Sequence, residues 1–139
     1  MIHDSRFIIQ GKVIHGEHYG KKLGFPTANL DRRSFKRRKL RIKLGVWAGV
    51  AQLKIPASPA GRKNLKLKIY PAGIVIGPLD KKGLPKIEAH LIGFKGDLYG
   101  KYLNMYLNTY LRPFKKFKNA KELKVQIKKD LERIKRNIL

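Results

Sequence analysis

The 139-residue chain has the length of one domain, enough for a single core that buries roughly two-thirds of the unfolded chain's surface. It contains no cysteine, which excludes disulfides and thiolate metal sites, and no apolar run approaching the ~20 residues that span a bilayer, so a soluble cytoplasmic protein is expected. Against 9 Asp and Glu stand 33 Lys and Arg, and the formal net charge of +24 favours polyanionic partners such as nucleic acid, anionic membrane or nucleotide without choosing among them.

No internal repeat or low-complexity linker divides the chain, and one domain over residues 1–139 is expected. Residues 7–13 are rich in β-branched side chains and read as a first strand. That strand delivers the chain into Gly16-Glu-His-Tyr-Gly-Lys-Lys-Leu-Gly-Phe-Pro-Thr-Ala-Asn29, a segment with neither helical nor strand periodicity. Gly16, Gly20 and Gly24 can take positive φ and let backbone N–H groups approach an anion, and Lys21 and Lys22 add charge there. Pro26 stiffens the exit. If the chain leaves as a strand, Thr27 and Asn29 point the same way, and two hard oxygens beside a phosphate-binding turn suit magnesium. The segment is neither a Walker A loop nor a dinucleotide-binding fingerprint.

Residues 31–43 carry a run of Arg and Lys with Phe35 as the aromatic among them, which reads as a solvated loop more than a stacking platform. Its end, Leu40-Arg-Ile-Lys-Leu44, alternates as an edge strand would. Residues 45–53 form a small-residue apolar strand in which glycines relieve crowding on a curved sheet. A turn at 56–64 precedes an alternating strand at 65–69, and 73–77 form a separate short buried strand. In residues 86–94, period-two alternation puts Ile87, Ala89 and Leu91 on one face and Glu88, His90 and Ile92 on the other. Residues 101–112 fit a strand or a helix. The strand is preferred, because Asn104 and Asn108 are poor helix residues and Tyr102, Tyr106 and Tyr110 would share the face opposite Leu103 to Leu111. Asn119-Ala-Lys-Glu122 forms a capping box for a final helix with Leu123, Ile127, Leu131, Ile134 and Ile138 as its apolar stripe, a basic outer face, and one end of the sheet beneath it. Five or six short strands, tight turns and one terminal helix argue for a mainly β fold, a small closed antiparallel six-stranded barrel capped by a C-terminal α-helix.

Several of these blocks together resemble a known family. Gly11-Lys-Val, His15-Gly16, Leu23-Gly-Phe-Pro-Thr-Ala-Asn-Leu30, Glu88-Ala-His-Leu91, Phe94-Lys-Gly-Asp-Leu-Tyr-Gly100 and Leu111-Arg112 occur in the order seen in riboflavin kinases. The similarity spans residues 11–130, and the chain resembles a stand-alone version of the kinase half of the bacterial bifunctional enzymes. Val75-Ile-Gly-Pro78 departs from the family, which carries an Asn-Ile-Gly and a second Pro-Thr there.

The resemblance implies transfer of a phosphoryl group from ATP to the ribityl 5'-hydroxyl of riboflavin, giving flavin mononucleotide, with Mg2+ as cofactor. By the family pattern Gly16, Gly20 and Lys22 would hold phosphates, Thr27 and Asn29 would bind nucleotide and magnesium, and Glu88 would be the catalytic base. Arg112, Leu123, Gln126 and Ile127 would lie against the flavin, and His90 is read as structural. A monomer without membrane association is expected. Two alternatives stay open: a degenerate basic barrel that binds nucleic acid, and the same kinase with another nucleoside triphosphate as donor.

Overall fold

A computed structural model describes residues 8–14, 27–31, 42–56 and 65–138. Six strands appear in chain order as β1 (Ile8–Ile14), β2 (Ala28–Leu30), β3 (Gly45–Pro56), β4 (Leu65–Leu79), β5 (Pro85–Leu91) and β6 (Tyr102–Arg112), followed by α1 (Ala120–Ile138). Every pairing is antiparallel, and the order β1-β2-β5-β4-β3-β6 closes on itself as a barrel. Among the described strands, closure leaves open edges where the β3–β4 pair runs past its neighbours, at residues 54–56 and 65–70. Among the described residues no helix is long and apolar enough to cross a membrane.

Period-two alternation fills the lumen. Ile9, Leu30, Leu53, Ile74, Ile76, Ile87, Leu103 and Met105 are inaccessible to solvent or nearly so, and each contributes about 1.5–3 kcal/mol by leaving water. Gly49 is required where β3 meets β6, because a Cβ there would lie 2.0 Å from the Tyr106 carbonyl oxygen. A second apolar cluster, Val46, Ala48, Leu111 and Ile134, lies outside the lumen between the wall and α1. The helix therefore caps one end of the sheet from outside, across β3, β4 and β6. Gly73 lets it approach, since a Cβ there would stand 2.9 Å from Ile134 Cδ1.

The helix begins as expected, with one difference. Asn119 Oδ1 accepts the Glu122 N–H at 2.9 Å, while Glu122 Oε2 accepts the N–H of Lys118 at 3.1 Å, one residue before the cap. Both bonds satisfy N–H groups at or just before the helix start, and the Asn119 bond satisfies one that has no partner inside the helix.

Three details of the strands differ from the sequence reading. The expected edge strand at 40–44 is absent over its described part, since β3 starts only at Gly45. Ile42 and Leu44 pack on the lumen cluster instead, and the Lys43 and Leu44 carbonyls accept bonds from Trp47 Nε1 and the Tyr110 hydroxyl, both at 2.9 Å. Those bonds use the backbone groups that a ladder would have used. The two strands expected within 65–77 are one continuous strand, β4. Pro71 is tolerated within it because it stands at the end of the β5 pairing, which begins at Ala72: its carbonyl accepts the Ile92 N–H at 2.8 Å, and the N–H that proline lacks is missed only at the end of the ladder.

The third difference concerns β6. Its register against β3 shifts twice, so that Gly49 faces Leu107, Ala48 faces Thr109, Trp47 faces Tyr110 and Val46 faces Arg112. The extra residues, Asn108 and Leu111, reverse the inward face. Tyr110 consequently leaves the face shared by Tyr102 and Tyr106 and meets Trp47 edge-on at 5.2 Å, beneath Lys43 Nζ at 4.2 Å from its ring centroid. Leu111 and Arg112 turn toward α1.

Candidate active site

β2 is the shortest strand, and its register sets the site. Ala28 and Leu30 point into the lumen, so Asn29 faces outward directly opposite Glu88 of β5. Directly opposed side chains have Cβ atoms about 5 Å apart, so two residues distant in sequence become neighbours through one strand pairing. Glu88 is half-buried and also faces Val75 of β4. Its outward direction follows from Ile87 and Ala89, both buried.

Beside this pair opens a cavity of about 690 Å³. Its floor and walls come from the end of β1 (Val13, Ile14), from Thr27 to Asn29, and from Ala89 and Leu91. The loop after β5, residues 94–99, forms a further wall. That loop is held firmly. Gly100 N–H donates to the Val13 carbonyl at 3.0 Å, Val13 N–H to the Lys101 carbonyl at 2.8 Å, and Phe94 meets Tyr70 edge-on at 5.5 Å. Asp97 Oδ1 accepts the Tyr99 N–H at 2.9 Å, which shapes the turn that faces the cavity.

Thr27 and Asn29 thus line one cavity, with hydroxyl and amide oxygens available to it. Among the described residues no group of three or more His, Asp or Glu could bind a metal by itself. Two neutral oxygens fit magnesium only where substrate phosphates and water complete its shell, which is the usual arrangement for this ion. Gly16, Gly20 and Lys22, expected to hold phosphates, lie outside the described residues.

The residues expected near the flavin gather elsewhere. Arg112 Nη2 donates to Asp130 Oδ2 at 2.7 Å and Arg112 Nε to Asp130 Oδ1 at 3.0 Å, a forked ion pair. Gln126 Nε2 donates to the same carboxylate at 3.0 Å. Leu123 and Ile127 flank this network on α1, half-buried, and none of these residues is among those that line the cavity. Asp130 itself is only 6% exposed. Sequence reasoning passed over it, although a signal was present: it is the one acid on the apolar stripe, seven residues after Leu123 and four before Ile134. The cavity wall at 94–99 likewise stands out in the sequence only as part of the block Phe94 to Gly100, with no role attached. His90 stands opposite Gly73 on the outward face of β5.

Comparison with known proteins bears on the family and on the fold. The family model described as flavokinase, riboflavin kinase, matches residues 4–138. The bifunctional riboflavin kinase/FMN adenylyltransferase of Escherichia coli K12 is 32% identical over 128 residues, covering 89% of this chain and 36% of the relative. The chain therefore spans about a third of the length of the curated relatives it matches. Two solved structures share the fold. Riboflavin kinase from Trypanosoma brucei aligns with a TM-score of 0.67 at 22% identity, over 94% of this chain and 78% of that one. A protein from Streptococcus pneumoniae named for macrolide efflux aligns at 0.68 and 24%, over 90% of this chain and 37% of that one. At such identities both speak for the fold alone.

Proposed function

The chain belongs to the riboflavin kinase family, and from that premise we propose that it transfers the γ-phosphate of ATP to the ribityl 5'-hydroxyl of riboflavin, giving flavin mononucleotide and ADP. The observation that carries this reading is the β2–β5 register, which sets Asn29, a lining residue of the cavity together with Thr27, directly opposite Glu88, itself just outside the lining. A binding module has no need of a carboxylate beside two neutral oxygens; a phosphoryl transferase does.

In the proposed reaction the 5'-oxygen of riboflavin attacks the γ-phosphorus as the bond to the β–γ bridging oxygen breaks. Glu88 orients the hydroxyl and takes its proton. Thr27 and Asn29 would hold magnesium, which when bound neutralises charge on the phosphates. Gly16, Gly20 and Lys22, in the segment that links β1 to β2 in sequence, would grip the phosphates. The flavin ring would lie between the barrel rim and α1, within reach of Arg112, Leu123, Gln126 and Ile127. There the bond from Gln126 and the ion pair from Arg112 to Asp130 fix both side chains in place.

Little covalent chemistry is asked of the protein, so alignment and charge neutralisation supply the rate. The test incubates purified protein with riboflavin, magnesium and ATP, with CTP in parallel, and separates the flavins by chromatography. Flavin mononucleotide formed with ATP is the expected outcome, and product with CTP alone would replace the donor. A folded protein that makes no product with either would end the kinase reading.

A further inference from the structure

We propose that the outer face of α1, together with the segment 113–118 that leads into it, binds single-stranded nucleic acid. Lys121, Lys124, Lys128, Lys129, Lys135 and Arg136 are all exposed on the helix. Lys121, Lys128 and Lys135 recur at seven-residue spacing, so they form a line along the helix with steps of about 10.5 Å. None of the six has an ion-pair partner among the described residues.

The acids of this helix do not offset the line. Asp130 is buried beneath it against Arg112, and Glu122 is engaged at the N-terminus with the Lys118 N–H. Glu132 is the acid left among the lysines. With a whole-chain charge of +24, the local field is strongly positive and attracts a polyanion from a distance.

The segment before the helix supplies what a backbone-only binder lacks. Phe114 is 40% exposed, with Lys115, Lys116 and Lys118 exposed around it. Its ring is braced against β4, 3.0 Å from where a Cβ on Gly77 would stand. An aromatic face held in place among ammonium groups can stack an unpaired base while neighbouring phosphates meet the lysines. That requirement selects a single strand over a duplex, whose bases are already stacked. An anionic membrane fits less well, because insertion needs a free apolar face and the apolar stripe of α1 is turned onto the barrel.

The test is fluorescence anisotropy with a fluorescein-labelled oligouridylate over a salt series, with a duplex oligonucleotide and phosphatidylserine vesicles as parallel arms. Wild-type protein should bind the single strand tightest, with a steep negative dependence of log K on log salt. The triple variant Lys121→Gln, Lys128→Gln, Lys135→Gln should lower the magnitude of that slope by about 2, and each single substitution by about 0.7. Phe114→Ala should weaken binding about tenfold at constant salt without altering the slope. The lysine variants should keep wild-type circular dichroism and wild-type flavin mononucleotide formation, so a failure of the kinase reading would be seen separately. Absence of wild-type binding, an unchanged slope in the triple variant, or preference for duplex or vesicles would each overturn the proposal.

Discussion

Polar side chains are used in opposite ways at the rim of the barrel and at the seam beneath α1. At the seam, Arg112, Gln126 and Asp130 are closed on one another, with the Asp130 carboxylate receiving three donors and almost no solvent. At the rim, Thr27 and Asn29 face a cavity of about 690 Å³, and Glu88 stands next to them on the adjoining strand. The seam has the geometry of a joint, which under the proposed function also holds Arg112 and Gln126 still for the flavin, and the rim has that of an open receptor. Removing a polar side chain should therefore cost mainly stability at the seam and mainly turnover at the rim.

The largest effect expected from a single change is at the rim. Glu88→Gln keeps the size of the side chain and removes its ability to take a proton, so turnover should fall about a thousandfold, equivalent to about 4 kcal/mol in the barrier. ATP affinity, measured by calorimetry, should be nearly unchanged, as should thermal melting. Near-normal turnover would remove Glu88 from the role of base. The matching change at the seam is Asp130→Ala, which leaves the Arg112 guanidinium without its partner and should cost about 3 kcal/mol of unfolding free energy in urea titration. A variant that melted like wild type would mean that the seam is not a joint.

Gly49→Ala tests whether the two regions are mechanically connected. The added methyl meets the Tyr106 backbone, so β3 and β6 must part, at a cost of about 2 kcal/mol. Both regions hang on that pairing: the seam through Val46 and Arg112, the rim through the pairing of β6 with β1. Stability and Michaelis constant for riboflavin should change together. A change in stability alone would show that the rim is insulated from the β3–β6 contact.

These differences also explain what could be read from sequence. Alternation exposes its own pattern, so the two faces of β5 and the inward Leu103, Met105 and Leu107 of β6 were legible residue by residue, and the Asn119 cap was legible from side-chain type. The reversal in β6 was not, because Asn108 and Leu111 look like ordinary members of an alternating run; the bulges exist only relative to β3. The segment 42–44 misled for a related reason. Its alternation is real, but the bonds that hold it come from Trp47 and Tyr110, whose positions depend on the closed barrel. At the rim, Thr27, Asn29 and Glu88 could each be singled out by chemistry, and a resemblance gave them roles. Their adjacency arises from one pair in the β2–β5 register, which no local pattern encodes.

The smallest expected effect separates the joint from the receptor most cleanly. Asn119→Ala removes the side chain that receives the Glu122 N–H and should cost about 1 kcal/mol. The loss falls on the first turn of α1, where Leu123 lies, and leaves Asp130 two turns further on with Arg112 still attached. Hydrogen exchange should therefore quicken in the first turn of α1 while the amides of β2 and β5 keep wild-type protection. If Leu123 does contact the flavin, the Michaelis constant for riboflavin should rise modestly with turnover at saturation unchanged. If exchange quickens but the Michaelis constant does not move, the first turn of α1 has no part in holding the flavin, and Leu123 belongs to the joint alone.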